Sequence, residues 1–133
     1  MLYPIKRFTR NFKDWFPILK QDEQWDNEYL LDVLDKKLEL MEKFHRSDKA
    51  WAMCHLETAQ EIKYARLLIE RIQLDNYLSI VMPDWNEYIN QDNHTESEKK
   101  RFLDSCIEEQ RLKEQDIQKL FKHIADNIQK WWD

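Results

Sequence analysis

Glycine is absent from the 133-residue sequence, although average usage of about 7% would give roughly nine. Glycine provides the positive φ of tight turns and lets the backbone approach a phosphate closely. Its absence excludes the P-loop, the G-x-G-x-x-G dinucleotide turn and the G-x-S-x-G nucleophile elbow. It also removes the usual residue of two-residue hairpins. The sequence therefore favours long helices joined by polar loops.

Cysteine and long apolar runs are also scarce. Cys54 and Cys106 are too few for a disulfide framework, so we expect reduced, buried thiols in a cytosolic protein. The densest apolar stretch, near residues 78–82, is far shorter than the about 20 residues of a membrane-spanning helix. The first residues mix charge with aromatic rings and lack the apolar centre of a signal peptide. We therefore expect no membrane partner.

Charge is plentiful but unevenly distributed. Residues 1–20 carry five cations against the single acid Asp14, a net +4, so the rest of this chain of net charge −5 carries −9. A general nucleic-acid-binding protein should be basic overall, which argues against DNA or RNA as the partner. The distribution leaves open a local anion site near residues 1–20.

Apolar residues recur at helical spacing through most of the chain, which predicts an all-α fold. We expect a single domain over residues 1–133, built as a bundle of three long helices. A short basic amphipathic helix precedes them in an N-terminal arm, residues 1–20. The predicted helices cover residues 4–16, 26–45, 48–79 and 95–132, and a polar loop, residues 83–95, contains a helical turn near Trp85.

The short helix has a mixed character. Its apolar residues recur with cations between them: Ile5, Phe8, Phe12 and Trp15 or Phe16. Pro17 is expected to end it or to begin a turn. One interpretation is a membrane-surface or anion-binding helix, and the other is an arm whose aromatic rings pack on the bundle. We favour the second, because about twelve residues with four cations are a weak membrane signal.

The long helices carry predicted buried stripes. In the second helix the stripe is Leu30, Leu34, Leu38 and Met41. In the third it is Trp51, His55, Thr58, Ile62, Ala65, Ile69 and Ile72. Asp26 is expected to cap the second helix, and Thr95 with Glu98 fits a capping box at the last. Residues 108–116 of the last helix are mostly polar, so that segment crosses solvent, breaks or meets a polar partner.

Metal binding and catalysis have little support. The four histidines and two cysteines form no C-x-x-C and no H-x-x-x-H pair, although zinc needs four converging ligands. No paired catalytic set is evident either. We therefore expect no metal, no cofactor and no enzymatic activity.

Polar residues on the third helix suggest a ligand pocket between helices, as bundles build from facing side chains. The candidate ligand-binding residues are Trp51, His55, Glu61, Tyr64, Arg66, Arg71, Asp75 and Tyr77. Trp51, Tyr64 and Tyr77 could stack on a flat ligand, and Arg66 or Arg71 could pair with a phosphate. The alternative is that these are satisfied interior and surface groups, with an ion pair between Arg71 and Asp75 four residues apart.

Residues 8–80 resemble a group of small proteins of tailed bacteriophages, mostly uncharacterised. The shared pattern is W-F-P, then W-D before an aromatic, then L-x-x-K-L-x-x-M, and finally A-x-x-L-x-E-R-I with D-x-Y. It falls on Trp15, Phe16, Pro17, Trp25, Asp26, Tyr29, Leu34, Lys37, Leu38, Met41, Ala65, Leu68, Glu70, Arg71, Ile72, Asp75 and Tyr77. The resemblance implies an accessory phage protein made in the cytoplasm of the infected bacterium, where such proteins often counter host defence by binding.

These observations yield a ranked set of functional hypotheses. The first is a non-enzymatic protein that sequesters a small host ligand, such as a nucleotide-derived immune signal, in a homo-oligomer. The alternative is a protein–protein inhibitor or adaptor that binds a host defence protein through an acidic, aromatic surface, with Trp85, Tyr88, Trp131 and Trp132 as anchors. A virion assembly protein is a third hypothesis.

Overall fold

The computed structural model describes residues 2–21, 27–50 and 53–131. Within those residues it contains six α-helices, one 3-10 helix and no strand, which confirms the all-α prediction. The helices are α1 (Leu2–Leu19), α2 (Asn27–His45), α3 (His55–Leu74), α4 (Tyr77–Val81), α5 (Trp85–Ile89) and α6 (Glu96–Asn127), followed by the 3-10 turn Ile128–Lys130.

The chain divides into two compact units. Unit 1 comprises Met1–Arg66 with Trp132–Asp133, and unit 2 comprises Leu67–Trp131. The division falls inside α3. In unit 1, α1 packs against α2, and in unit 2, α4 packs against α6.

Helix α1 is longer than predicted and is not a short helix. It has 18 residues, nearly as many as α2, and Pro17 lies inside it. The prediction that Pro17 ends the helix is wrong, because proline removes only its own N–H donor. In the last turn the N–H of Lys20 still donates to the carbonyl of Phe16 at 3.0 Å, which closes the helix beyond the proline.

Helix α2 ends at His45, as predicted. Leu38 is buried, and Leu34 and Met41 are half-buried, so these members of the stripe are confirmed. Leu30 is exposed, so its assignment to the stripe is wrong. The predicted cap Asp26 lies outside the described residues.

The predicted helix 48–79 is two helices. Helix α3 begins only at His55. Ser47 lies in a turn instead of starting a helix. Its hydroxyl donates to the carbonyl of Phe44 at 2.6 Å and accepts from the N–H of Lys49 at 3.3 Å. Helix α3 ends at Leu74 because Asp75 has a φ of 50°, outside the helical region. A separate helix, α4, then begins at Tyr77.

The inward stripe of α3 is nevertheless confirmed. Its buried members are Thr58, Ile62, Ala65, Ile69 and Ile72. His55 is half-buried, and Trp51 lies outside the described residues. The 3.6-residue period therefore identified the buried face of α3, although the ends of the helix were misplaced.

Helix α6 begins at the predicted capping box. The N–H of Glu98 donates to the Thr95 hydroxyl at 3.2 Å, and the Glu98 carboxylate accepts from the N–H of Thr95 at 3.4 Å. The helix then runs unbroken through its polar middle to Asn127. Leu120 and Trp131 are buried near its end. The predicted helical turn near Trp85 is α5.

Candidate binding surfaces

The eight predicted ligand-binding residues do not gather around one described cavity. Trp51 lies outside the described residues. His55 and Glu61 are half-buried on α3, and Tyr64 is exposed. Each of these three has an interaction within the protein. The remaining four, Arg66, Arg71, Asp75 and Tyr77, belong to two separate polar clusters, one in each unit.

In unit 1, Arg66 joins α3 to α2. Its Nε lies 2.9 Å from Oδ1 of Asp35, and one terminal nitrogen lies 3.0 Å from Oε2 of Glu42. Burial opposes the charge on Arg66, but hydrogen bonds to Asp35 and Glu42 outweigh it and raise the pKa of the guanidinium. Both of its partners are carboxylates of this chain, so Arg66 is a structural tie between the helices rather than a ready phosphate ligand.

In unit 2, the polar middle of α6 meets the end of α3 and the start of α4. The hydroxyl of Tyr77 donates to Oδ2 of Asp116 at 2.6 Å, and Nη2 of Arg71 lies 2.9 Å from the same oxygen. Tyr77 and Asp116 are both buried. Residues 108–116 were expected to cross solvent, to break the helix or to meet a polar partner. Among the described residues, Tyr77 and Arg71 are that polar partner.

The groups of this cluster interact strongly through hydrogen bonds and charge. Burial and the hydrogen bond to Asp116 together raise the pKa of Tyr77 well above its ordinary value, because ionising the phenol would place two negative charges side by side. A buried carboxylate is tolerated when it is paired and hydrogen-bonded. The arrangement is that of an interior network that fixes α4 on α6.

The predicted ion pair between Arg71 and Asp75 is wrong. Arg71 pairs with Asp116 as above, and Asp75 accepts from Nζ of Lys113 at 2.9 Å. The reason is the positive φ of Asp75, which takes it off the helix and away from the four-residue spacing. The Arg71 side chain is also 59% exposed, which weakens the case for a pocket along α3.

The loop of residues 83–95 is anchored on α6 by aromatic stacking. The ring centroid of Tyr88 lies 3.9 Å from that of His94 and 4.6 Å from that of Phe102. The guanidinium of Arg101 donates two hydrogen bonds, of 2.6 and 2.8 Å, to the carboxylate of Asp84. These hydrogen bonds lower the pKa of Asp84. This cluster was not predicted from the sequence, because its members are separated by up to eighteen residues along the chain.

The predicted aromatic anchors differ in position. Trp131 is buried, so its assignment as an exposed anchor is wrong. Trp85 is half-buried and donates from Nε1 to the hydroxyl of Ser79 at 2.9 Å. Tyr88 lies in the stack, and Trp132 falls outside the described residues. Exposed apolar residues lie on α1 and α6, and also on α3 at Leu56, Leu67 and Leu74.

Helix α1 presents its apolar face to solvent. Ile5, Phe8, Phe12, Phe16 and Leu19 are between 49% and 70% exposed. The half-buried residues of α1 are Trp15, at one edge of that face, and Ile18 and Asp14, farther round the helix on the side away from the phenyl rings. The expectation that the aromatic rings pack on the bundle is therefore wrong for Phe8, Phe12 and Phe16.

Helix α6 and the 3-10 turn after it carry a second apolar face, which we call the outer face: Leu103, Ile107 and Phe121 of α6 and Ile128 of the turn, all between 49% and 69% exposed. It lies about a quarter to a half turn away from the buried Asp116 and Leu120. Gln110 and Glu114 lie between its two halves. Single exposed apolar residues are ordinary, but repetition along one side of a helix is typical of helix packing.

A groove of about 530 Å³ opens beside α6 in unit 2. Its lining is Val81, Ser97, Lys100, Arg101, Asp104, Ser105 and Glu108. None of the eight predicted ligand-binding residues belongs to that lining. The groove is polar, and Arg101 is already engaged by Asp84.

The cysteines differ in setting. Cys54 is exposed and Cys106 is half-buried, and both are free. The prediction of a buried thiol is therefore wrong for Cys54. Burial, with a smaller contribution from Glu109, raises the pKa of Cys106, which disfavours a reactive thiolate. Within the described residues, no three His, Cys, Asp or Glu side chains come together as a metal site.

Across residues 2–21, 27–50 and 53–131, no helix has the length and apolarity to cross a membrane. Comparisons were made with protein-family models, curated proteins and solved structures, and the chain matches none of them.

Proposed function

We propose that the protein is a non-catalytic binding protein whose partner is another protein, docked on the outer face of α6. The observation that carries the proposal is the exposed repeat of Leu103, Ile107 and Phe121 along α6, continued by Ile128 in the 3-10 turn. In the setting of the phage resemblance, the partner is a host defence protein, and the binding inhibits or redirects it in the bacterial cytoplasm.

The geometry of the two polar clusters favours a protein partner over a small ligand on α3. Arg66, Arg71, Asp75 and Tyr77 each bind another side chain of the same chain. A ligand would have to displace these partners and leave carboxylates unpaired, which is costly for buried groups. The outer face of α6 requires no such displacement.

Charge supports the same assignment. Unit 2 carries thirteen acidic residues against nine lysines and arginines, a net −4. Complementary charge speeds and orients association, so we expect a partner with a basic rim around an apolar groove. The acidic surface would compete with nucleic acid for such a partner.

Native mass spectrometry of the protein purified from infected bacterial cells tests this function. We expect a bound host polypeptide that is lost in Ile107→Asp and retained in Ile5→Asp, a matched control on α1 that is 63% exposed where Ile107 is 69% exposed. Bare protein would overturn the proposal, as would a polypeptide retained equally by both variants. A retained small molecule would favour ligand sequestration instead.

Sequestration of a small anionic ligand is a second candidate, since the polar lining of the groove beside α6 includes Lys100 and Arg101. Of the two cations that line the groove, Arg101 is paired with Asp84, and Lys100 is the other. Calorimetry with a nucleotide panel tests this candidate: binding that is lost in Lys100→Glu supports it, and no heat from any nucleotide removes it.

A further inference from the structure

Helix α1 separates apolar and basic residues onto different sides. At about 100° per residue, Ile5, Phe8, Phe12, Phe16 and Leu19 share one side. Lys6, Arg10 and Lys13 lie on the other and are exposed. The phenyl rings follow one another along the helix, with centroids 6.3 Å apart for Phe8 and Phe12 and 5.2 Å apart for Phe12 and Phe16. The result is a continuous aromatic strip along about 21 Å of helix.

The packing of α1 within unit 1 leaves that strip uncovered. Helix α1 packs on α2, and its half-buried residues Asp14 and Ile18 lie beyond the edge of the strip. The strip residues remain about half or more exposed. Apolar surface of this extent on one side of a helix indicates a binding partner outside the chain.

The charges of α1 define the chemistry of that partner. Lys6 and Lys13 lie beyond one margin of the strip, and the half-buried residues Trp15 and Ile18 lie beyond the other. A surface that receives the phenyl rings therefore meets cations along the margin that the chain leaves exposed. Among the described residues, no α1 cation forms an ion pair. An apolar layer beneath a layer of negative charge is what the surface of an anionic phospholipid bilayer offers.

We propose that α1 binds the surface of an anionic phospholipid bilayer and lies parallel to its plane. The aromatic strip enters the boundary between headgroups and acyl chains, and the lysines and arginines meet the headgroup phosphates. The helix does not cross the bilayer, because its opposite side is too strongly charged. The expectation of no membrane partner was drawn from the lack of a membrane-spanning segment, which a helix lying on the bilayer surface does not require.

Co-sedimentation of the full chain with vesicles tests the proposal. We expect binding to vesicles of phosphatidylcholine with phosphatidylglycerol, at least about tenfold weaker binding to phosphatidylcholine alone, and weakening of the anionic binding as salt rises from 0.05 to about 0.5 M. Equal binding to both vesicle types, or none to either, would overturn it.

Two matched pairs of variants assign the binding to α1. Phe16 and Phe121 are both 49% exposed, so Phe16→Ser and Phe121→Ser remove equal aromatic surface from α1 and α6. Lys13→Glu and Lys119→Glu make the same charge change on the same two helices. We expect only the α1 variants to lose binding, about tenfold or more, while circular dichroism shows that all four keep their helical content.

The alternative occupants of the strip give different results. If Phe16→Ser binds vesicles as well as Phe121→Ser does, α1 is not the lipid-binding element. If Phe16→Ser instead dissolves a dimer seen by size exclusion, the strip is an interface between copies of the chain. Both outcomes contradict the proposal. Loss of the host polypeptide in Ile107→Asp is independent of all these results, so the two proposals fail separately.

Discussion

Helices α1 and α6 share an amphipathic pattern but differ in what covers their apolar residues. The inward side of α6 holds buried Leu120 and the buried pair Asp116 and Tyr77. The apolar side of α1 holds phenyl rings that remain exposed. An amphipathic pattern therefore identifies a helix face that needs a partner, and only the fold shows whether other residues of the same chain cover that face. In α6 the chain itself covers the inward side. In α1 the chain leaves the phenyl rings exposed.

The largest expected effect is a contrast in stability between these helices. Leu120→Ala should lower the free energy of unfolding by about 2–5 kcal/mol, because it leaves a cavity at a fully buried site. Phe12→Ala on α1 should change it by no more than about 0.5 kcal/mol, since an exposed ring loses little. Urea titration followed by circular dichroism measures both. Comparable losses would show that α1 is covered by its own chain.

A second contrast concerns tyrosine hydroxyls. Tyr77→Phe should cost about 1.5–3 kcal/mol, because it removes a buried hydrogen bond to the Asp116 carboxylate. Tyr3→Phe on α1 is the control, since Tyr3 is exposed and keeps its ring under the Arg7 guanidinium. Thermal melts of both proteins measure the difference. If Tyr77→Phe lowers stability no more than Tyr3→Phe does, the hydrogen bond between Tyr77 and Asp116 does not stabilise unit 2.

Alkaline pH should sharpen the same comparison. The pKa of Tyr77 is raised above its ordinary value of 10.0 in the folded protein, so the folded state holds the phenol proton more tightly than the unfolded state. Stability from this group is complete below about pH 10 and declines above it, as the unfolded state releases the proton. The stability difference between wild type and Tyr77→Phe should shrink between pH 10 and 12 in urea titrations. A constant difference would contradict the pKa shift.

The smallest expected effect is at the surface of α2. Hydrogen bonds from Lys43 and Lys36 hold the pKa of Glu39 down at about 2, against 4.5 ordinarily. This contribution is present above about pH 4.5 and disappears as pH falls toward 2. Glu39→Gln should cost less than about 1 kcal/mol at pH 7, because partly exposed ion pairs are weak. Urea titrations at pH 7 and pH 2.5 should show that small cost vanish in acid, and a cost that grows in acid would contradict the assignment.

The features that could be predicted from the sequence are those that depend on local periodicity. The capping box of Thr95 and Glu98, the end of α2 at His45 and the buried face of α3 from Thr58 to Ile72 all follow from spacing within a few residues. The break at Asp75 was missed because an aspartate with positive φ has no local signature. The partners of Arg66 and Asp116 were missed because they lie 24 to 45 residues away in the sequence, where only the packing of helices decides which side chains meet.

The proposed membrane binding requires that α1 be uncovered in the free protein and covered when it binds. Hydrogen–deuterium exchange of the full chain, with and without vesicles containing phosphatidylglycerol, tests both halves of that claim. We expect the amides of residues 8–19 to exchange faster than those of residues 116–124 in the free protein, and to slow about tenfold or more with vesicles while residues 116–124 do not change. Slow exchange of residues 8–19 in the free protein, unaltered by vesicles, would contradict the account.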